Sequence, residues 1–394
     1  MLWSGTAISQ STVDNNQVQV GDVFATGELD VVTNTSDTVQ ATTGTGNSLI
    51  GSAVSGSIDV ESTQTMQGNV AATTTVNVDN DAGPELSSTT AATGNAGDSV
   101  ITGGGALTGN FIQNTTGASV DAESQANGAN AQMFDGTVET QAIANGQTLG
   151  ASGSDVDVAV NQTNTASAVS NGGVIFGDVT DQAAFISSGA GNDLTSVGQG
   201  SSQGVTATQD NEAQLTQGTM FVNLGNSEIT DTSATATGND INITNADGSL
   251  NVIDDQTNNS FVNAQAVETS YQYGGATVNA DAVGNAAFAG NQGPVTSINN
   301  TQLNGSFGVE SQATFNSAGS PGYDAFVSST ATGNSVTGFA CSLCGGVINA
   351  TNSQTNQGDV SAFSQIGVAN GRSVRGTANA AGNTASFYVS SPSN

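Results

Sequence analysis

Three stretches carry side chains whose types and spacing could do chemistry. Asp254 and Asp255 are adjacent carboxylates, and paired carboxylates can hydrolyse a glycoside when both face one substrate. Adjacent residues of a strand face opposite ways, however, so the pair reads first as a surface or turn feature. VNVDNDAGPE places Asp79, Asp81 and Glu85 in a glycine- and proline-containing loop, where oxygen ligands suit Ca2+. The stretch lacks the full D-x-[DN]-x-[DN]-G-x5-E calcium pattern, which makes an ordinary acidic turn the plainer reading. FACSLCGG contains the chain's two cysteines, Cys341 and Cys344. With no histidine and no second such pair they cannot complete a tetrahedral zinc site within one chain. A local disulfide closing an inserted loop is the first expectation, reduced structural cysteines the second, and redox or metal chemistry the third.

Composition narrows the classes further. The chain has 394 residues, 33 of them acidic, two basic (Arg372 and Arg375) and none histidine, for a formal charge of -31. Phosphate binding needs cations on the protein, so nucleic acid is a poor partner, and the same field opposes adsorption to anionic lipid. Amines, basic proteins and divalent bridges across the acidic surface stay compatible with it. Without histidine or lysine the commonest general base and amine nucleophile are missing. No cofactor signature is present, and no window approaches the roughly 20 apolar residues of a membrane helix. The opening MLWSGTAISQST shows no basic segment followed by an apolar run, so the chain reads as mature or processed material.

The positioning elements emerge from self-similarity, which has to be sought before single motifs. A lead glutamine recurs at Gln17, Gln64, Gln113, Gln162, Gln209, Gln256, Gln302 and Gln354, in steps of 47, 49, 49, 47, 47, 46 and 52. A second mark, most often ATGN or a close variant, places an asparagine at Asn47, Asn95, Asn145, Asn192, Asn239, Asn285, Asn334 and Asn383. Each follows its glutamine by 29 to 32 residues. Two marks holding one phase argue for eight repeats of about 48 residues and against a disordered polar chain.

Within a repeat the pattern has period two. SDVDVAVNQTN puts Val156, Val158, Val160, Gln162 and Asn164 on one parity and Asp155, Asp157, Ala159, Asn161 and Thr163 on the other. The stretch reads as a strand whose inward face begins aliphatic and ends in amides. Asn211, Asn258, Asn304 and Asn356 fill the position of Asn164 in later repeats, while Gln19, Met66 and Thr115 replace it in the first three. After the second mark the alternation resumes, as in Asn239, Ile241 and Ile243; Gly97 and Gln147 break the apolar position there.

An all-β solenoid accounts for these features. Successive coils present equivalent residues about 4.8 Å apart, so an amide that would be costly buried alone can bond its counterparts in a column. Like charges in such a column would repel, which fits the low charged fraction of 9%. One wide coil per repeat implies a stack of roughly 38 Å, and two smaller coils about 77 Å. The expected organisation is an N-terminal extension or cap over 1–14, a repetitive solenoid over 15–389 and a tail over 390–394. Solenoid ends expose strand edges, so Leu2 and Trp3 at one end, and Phe387, Tyr388 and Val389 at the other, are candidates for capping or for contact with another subunit. Arg372 and Arg375 could pair locally or with another subunit's acidic face.

The combination of QTN and ATGN marks, Ala/Thr/Ser-rich strands and a short cysteine insert resembles the holdfast anchoring proteins of stalked and budding bacteria, in particular their large D component. The likeness rests on AVNQTNTASAV, TSATATGNDINI, VSSTATGNSVTG and SQTNQGDVSA and covers most of 15–389. It implies a non-enzymatic, extracellular protein at the outer membrane that acts with partner anchor components and ties an adhesive polysaccharide to the envelope. It also implies a structural role for the amides and carries over no catalytic residue; Ca2+ is the one cofactor option, and it comes from the acidic residues themselves. Two alternatives accompany it: a homopolymeric extracellular filament subunit, and a secreted polysaccharide-processing β-helix enzyme.

Overall fold

The period-two segments become three stacks of parallel strands in the computed structural model, which describes residues 10–341 and 345–390. The first stack runs in the order β1 (Gln10–Gln19), β4 (Ser57–Met66), β7 (Ala106–Thr115), β10 (Asp155–Asn164), β12 (Gln203–Asn211), β14 (Ser249–Asn258), β16 (Val295–Asn304) and β19 (Val347–Asn356). The second contains β2 (Val23–Thr33), β5 (Val70–Asp81), β8 (Ser119–Met133), the first parts of β11 (Ser167–Gln199), β13 (Leu215–Ala246) and β15 (Phe261–Asn291), then β17 (Val309–Ser317) and β20 (Val360–Val368). The third contains β3 (Thr38–Val54), β6 (Glu85–Thr102), β9 (Asp135–Ser152), the later parts of β11, β13 and β15, then β18 (Gly322–Cys341) and β21 (Ser373–Ser390). The fold is an all-β solenoid. Each repeat winds once through the three faces, which corresponds to the shorter stack of roughly 38 Å.

Pairing preserves the sequence phase. Gln162 lies opposite Gln113 on one side and Gln209 on the other, and Asn192 lies between Asn145 and Asn239. Burial follows parity: in β10, Val156, Val158, Val160, Gln162 and Asn164 are buried while Asp155 and Asp157 are exposed. Two main apolar strips fill the coils. One joins the second face to the start of the third, with Val174, Val222, Phe185 and Phe315. The other joins the first face to the end of the third, with Leu107, Val158, Leu194 and Ile241. At roughly 25 cal/mol per Å2 of apolar surface removed from water, such strips supply the main drive for stacking.

Between the two strips the third face bends at its asparagine mark. Gly94 and Asn95 are consecutive and both buried, so parity switches there and the rest of the strand turns towards the first face. Glycine suits the bend because space is lacking: a Cβ on Gly238 would overlap Asn258 Oδ1 and the Gly284 carbonyl oxygen. The break at Gly97 is repaired by its neighbour, since Gln147 on the next coil fills the space a Cβ would take.

Candidate functional site: amide columns and buried carboxylates

The glutamine column explains the phase between the two marks. Each Nε2 donates to the Oε1 of the preceding coil, as from Gln162 to Gln113 (2.8 Å), Gln209 to Gln162 (2.7 Å) and Gln256 to Gln209 (2.8 Å). The same nitrogen also donates to the backbone carbonyl just after the asparagine mark of its own coil, as from Gln162 to Asp193 (2.8 Å) and Gln209 to Asp240 (2.8 Å). The glutamine therefore clasps the start of a coil to its end. A separation near 30 residues is what the intervening two faces require. Gln64, Gln113, Gln302 and Gln354 make the same pair of bonds.

The asparagine column runs in the opposite sense. Asn47 donates to Asn95, Asn95 to Asn145, Asn145 to Asn192 and Asn192 to Asn239, each at 2.8 Å. Asn239, Asn285 and Asn334 continue the series to Asn383. The same nitrogen reaches a carbonyl in the first strand of the next coil, as from Asn192 to Asp210 (3.1 Å) and Asn239 to Thr257 (2.8 Å). One column closes coils and the other fastens each coil to its successor. A third column joins Asn164, Asn211, Asn258, Asn304 and Asn356 at 2.7–3.0 Å. In the third repeat Thr115 instead bonds the Ala144 carbonyl and Asn145 Oδ1.

The other candidates separate. Asp79 and Glu85 are exposed on β5 and β6, while Asp81 accepts from the Gly83 N–H and from Gln132 Nε2. Among the described residues no group of three or more acidic, histidine or cysteine side chains is placed to hold a metal ion. Cys341 is buried at the end of β18 and is not a free thiol. Cys344 lies outside the described residues, as do Leu2 and Trp3. Tyr388 meets the Phe339 ring at 5.3 Å, and Arg372 pairs locally with Asp324 on the preceding coil.

The family model for Holdfast attachment protein D matches residues 32–308, from within β2 to just before β17. The chain belongs to the holdfast attachment protein D family. No curated protein and no solved structure matches it. Membership gives the chain a role in holdfast attachment, and the family is one of attachment proteins.

This holdfast attachment protein also buries carboxylates that the sequence reading placed outside or passed over. Asp254 is buried and Asp255 exposed. The surface reading is therefore corrected for Asp254, and the two do not converge as a catalytic pair. Asp254 shares an inward column with Ala207 and Asn300. Neither of its oxygens has a hydrogen-bond partner, and Asn300 Oδ1 on the next coil also has none. Burial, reinforced by the charge of Asp255, raises its pKa well above the ordinary aspartate value. A protonated Asp254 is the form that matches an unbonded acceptor beside it.

Glu268 is fully buried, in an inward column between Val222 and Phe315. Its oxygens accept from Thr230 Oγ1 (2.6 Å) and Thr232 Oγ1 (2.7 Å). Desolvation raises its pKa to about 7, with the threonine bonds opposing and the Asp231 charge assisting. Parity contained the signal, because Glu268 continues Val262, Ala264 and Ala266. On the outward side Asp193 and Asp240 stack in register. Burial raises Asp193 to about 6, and burial plus the Asp193 charge raises Asp240 to about 7, against a bond from the Ile241 N–H.

Proposed function

We propose that the chain is a rigid, non-catalytic spacer in holdfast anchoring, lying at the cell surface and tying an adhesive polysaccharide to the outer envelope together with other anchor proteins. The observation that carries this reading is the family match over residues 32–308. The geometry supports a mechanical role. A pull along the solenoid axis is met at every coil boundary by three sheets of backbone pairing and by the amide columns. Each bond is modest, about 1 kcal/mol net, but those at one boundary must break together. The acidic surface keeps such a spacer soluble and leaves cationic groups or divalent bridges as its natural electrostatic contacts.

The test is a deletion strain complemented with the full chain. Deletion is expected to release holdfast polysaccharide into the medium and to leave cells that detach under flow, and complementation is expected to restore retention. Unchanged retention and unchanged attachment in the deletion strain would overturn the proposal.

A further inference from the structure

The corner between the second and third faces carries an aromatic–acid step that recurs in two coils with different neighbours. Gly136, Ala183, Thr230, Ala276 and Ala325 form one column of the third stack. The dipeptides just before Gly136 and Ala325, Phe134–Asp135 and Tyr323–Asp324, therefore hold equivalent positions. Both rings are about half exposed, Phe134 at 51% and Tyr323 at 46%. On the following coil the equivalence extends to Asp181 and Arg372, whose backbone N–H groups donate to the Phe134 carbonyl (3.1 Å) and the Tyr323 carbonyl (2.7 Å).

At the later step the occupant is a guanidinium. Arg372 lies over the Tyr323 ring, 5.8 Å from its centroid, and its fork donates to both oxygens of Asp324, from Nε at 3.0 Å and from Nη2. A planar cation stacks on a ring and pairs with a carboxylate at once, which a compact ammonium does less well. At the earlier step the ring and the carboxylate are both present, but the next coil supplies Asp181 where the later one supplies Arg372. Asp135 Oδ1 accepts from the Gln182 N–H (3.2 Å).

Further carboxylates surround that earlier step. Glu85 is the register partner of Asp135 on the coil before, and Glu228 and Asp231 flank Ile229 and Thr230 on the coil after Asp181. The pair of Arg372 with Asp324 is the one salt bridge among the described residues, so this row concentrates negative potential. Space for an occupant lies on either side of the step. Phe134 lines a cavity of about 570 Å3 with Asn34, Asp81 and Gln132, and Asp135 lines one of about 630 Å3 with Glu85, Gln182 and Asp231.

We propose that Phe134 and Asp135 dock an arginine of a partner protein, its guanidinium over the ring and its fork on the carboxylate, within a basic segment that lies along Glu85, Asp181 and Glu228. The chain's own two arginines are engaged at the last coil, Arg372 on Asp324 and Arg375 over the Phe326 ring at 5.7 Å, so the occupant comes from another protein. The inference deepens the anchoring reading by giving a partner anchor protein a contact and a chemistry, and it rests on that reading for the partner's place at the cell surface.

The experiment offers purified full-length chain three labelled probes: a peptide alternating arginine with serine, a peptide alternating lysine with serine, and a chitosan oligomer. Fluorescence anisotropy at physiological salt reads binding, and circular dichroism with thermal melting establishes that each variant is folded. The arginine peptide should bind best. Phe134→Ala and Asp135→Asn should each weaken it about five- to tenfold, and Asp181→Arg, which reproduces the arrangement of the last coil, should abolish it. Asp157→Asn and Asp157→Arg, on the exposed side of the first face, make the same charge changes and should stay within about twofold of wild type. Equal losses in the Asp135 and Asp157 variants, or no binding of the arginine peptide, would overturn the site. A lysine peptide bound as tightly as the arginine peptide, or arginine binding unchanged by Phe134→Ala, would overturn the stacked guanidinium. Preferential binding of the chitosan oligomer with the same mutational sensitivity would make the occupant a cationic glycan and overturn the protein partner. Each contrary result leaves the deletion phenotype of the anchor role standing, so the two readings fail separately.

Discussion

The middle and last coils are made of the same columns, yet equivalent residues live in different surroundings. Asn239 is buried, donates to Asn285 and the Thr257 carbonyl, and accepts from Asn192. Asn383 accepts from Asn334 but is exposed, with a single long donation. A Cβ on Gly238 would overlap two groups, whereas one on Gly382 would find its nearest neighbour, Asn356 Nδ2, at 3.4 Å. The contrast shows that a residue's burial here is supplied by the next coil. Position along the stack should therefore decide what a given substitution costs.

The largest expected effect is the loss of a central amide. Asn239→Val should destabilise by about 2–5 kcal/mol, because Asn192 loses an acceptor and Asn285 loses a donor in a buried site. Asn383→Val should cost under about 1 kcal/mol, since water replaces what is lost. Urea unfolding of the full chain measures both, and equal costs would erase the distinction between middle and end.

Glycine offers a second version of the same contrast. Gly238→Ala is expected to cost about 1–3 kcal/mol through overpacking at the bend, and Gly382→Ala to leave the unfolding midpoint nearly unchanged. Comparable losses would mean that the glycine serves the bend itself more than the close approach of the next coil.

Buried carboxylates make the middle coils sensitive to pH. The folded-state pKa of Glu268 is raised from an ordinary 4.5 to about 7, and Asp240 and Asp193 are raised from 3.8 to about 7 and about 6. The folded chain therefore keeps protons that the unfolded chain has released. The stability these groups contribute is complete below about pH 4 and declines as pH rises through 7. Glu268→Gln should remove part of that decline, a share of about 3 kcal/mol at pH 8, read from urea midpoints across pH 4 to 8. An unaltered pH profile would show that Glu268 does not titrate in this range.

Asp254→Asn should stabilise the chain by a smaller amount, about 1–2 kcal/mol, once the pH is high enough to ionise Asp254, and change little where Asp254 is protonated, because an amide donates to Asn300 Oδ1 as the acid does but never carries a charge. A destabilised variant would argue that the carboxylate has a donor in solution. The smallest effect belongs to the exposed pair at the end: Arg372→Ala should leave the midpoint within error, as exposed ion pairs contribute little.

Much of this architecture was legible because a solenoid writes its geometry as period. The lead glutamines and the asparagine marks name residues that pair directly, and the parity of β10 names its buried side. The number of coils per repeat was not legible, since one period accommodates one coil or two. Nor were the corners within β11, β13 and β15, where the chain changes face without leaving the strand. Asp254 was misplaced because a charge was assigned to the surface against its own parity with Val252 and Gln256. Glu268 was passed over in the same way. In both cases the alternation was the better guide than the residue's usual preference for water.

Register is the claim on which the rest stands, and cross-linking tests it most directly. Thr195 and Asn242 are partners on neighbouring coils of the third face. Adjacent strands lie about 4.8 Å apart, within the Cα separation a disulfide accepts. The double variant Thr195→Cys/Asn242→Cys should oxidise rapidly to an intramolecular cross-link, while Thr195→Cys/Thr244→Cys, two residues out of register, should not. Preferential cross-linking of the second pair, or of neither, would contradict the stacking of successive repeats and the amide columns with it.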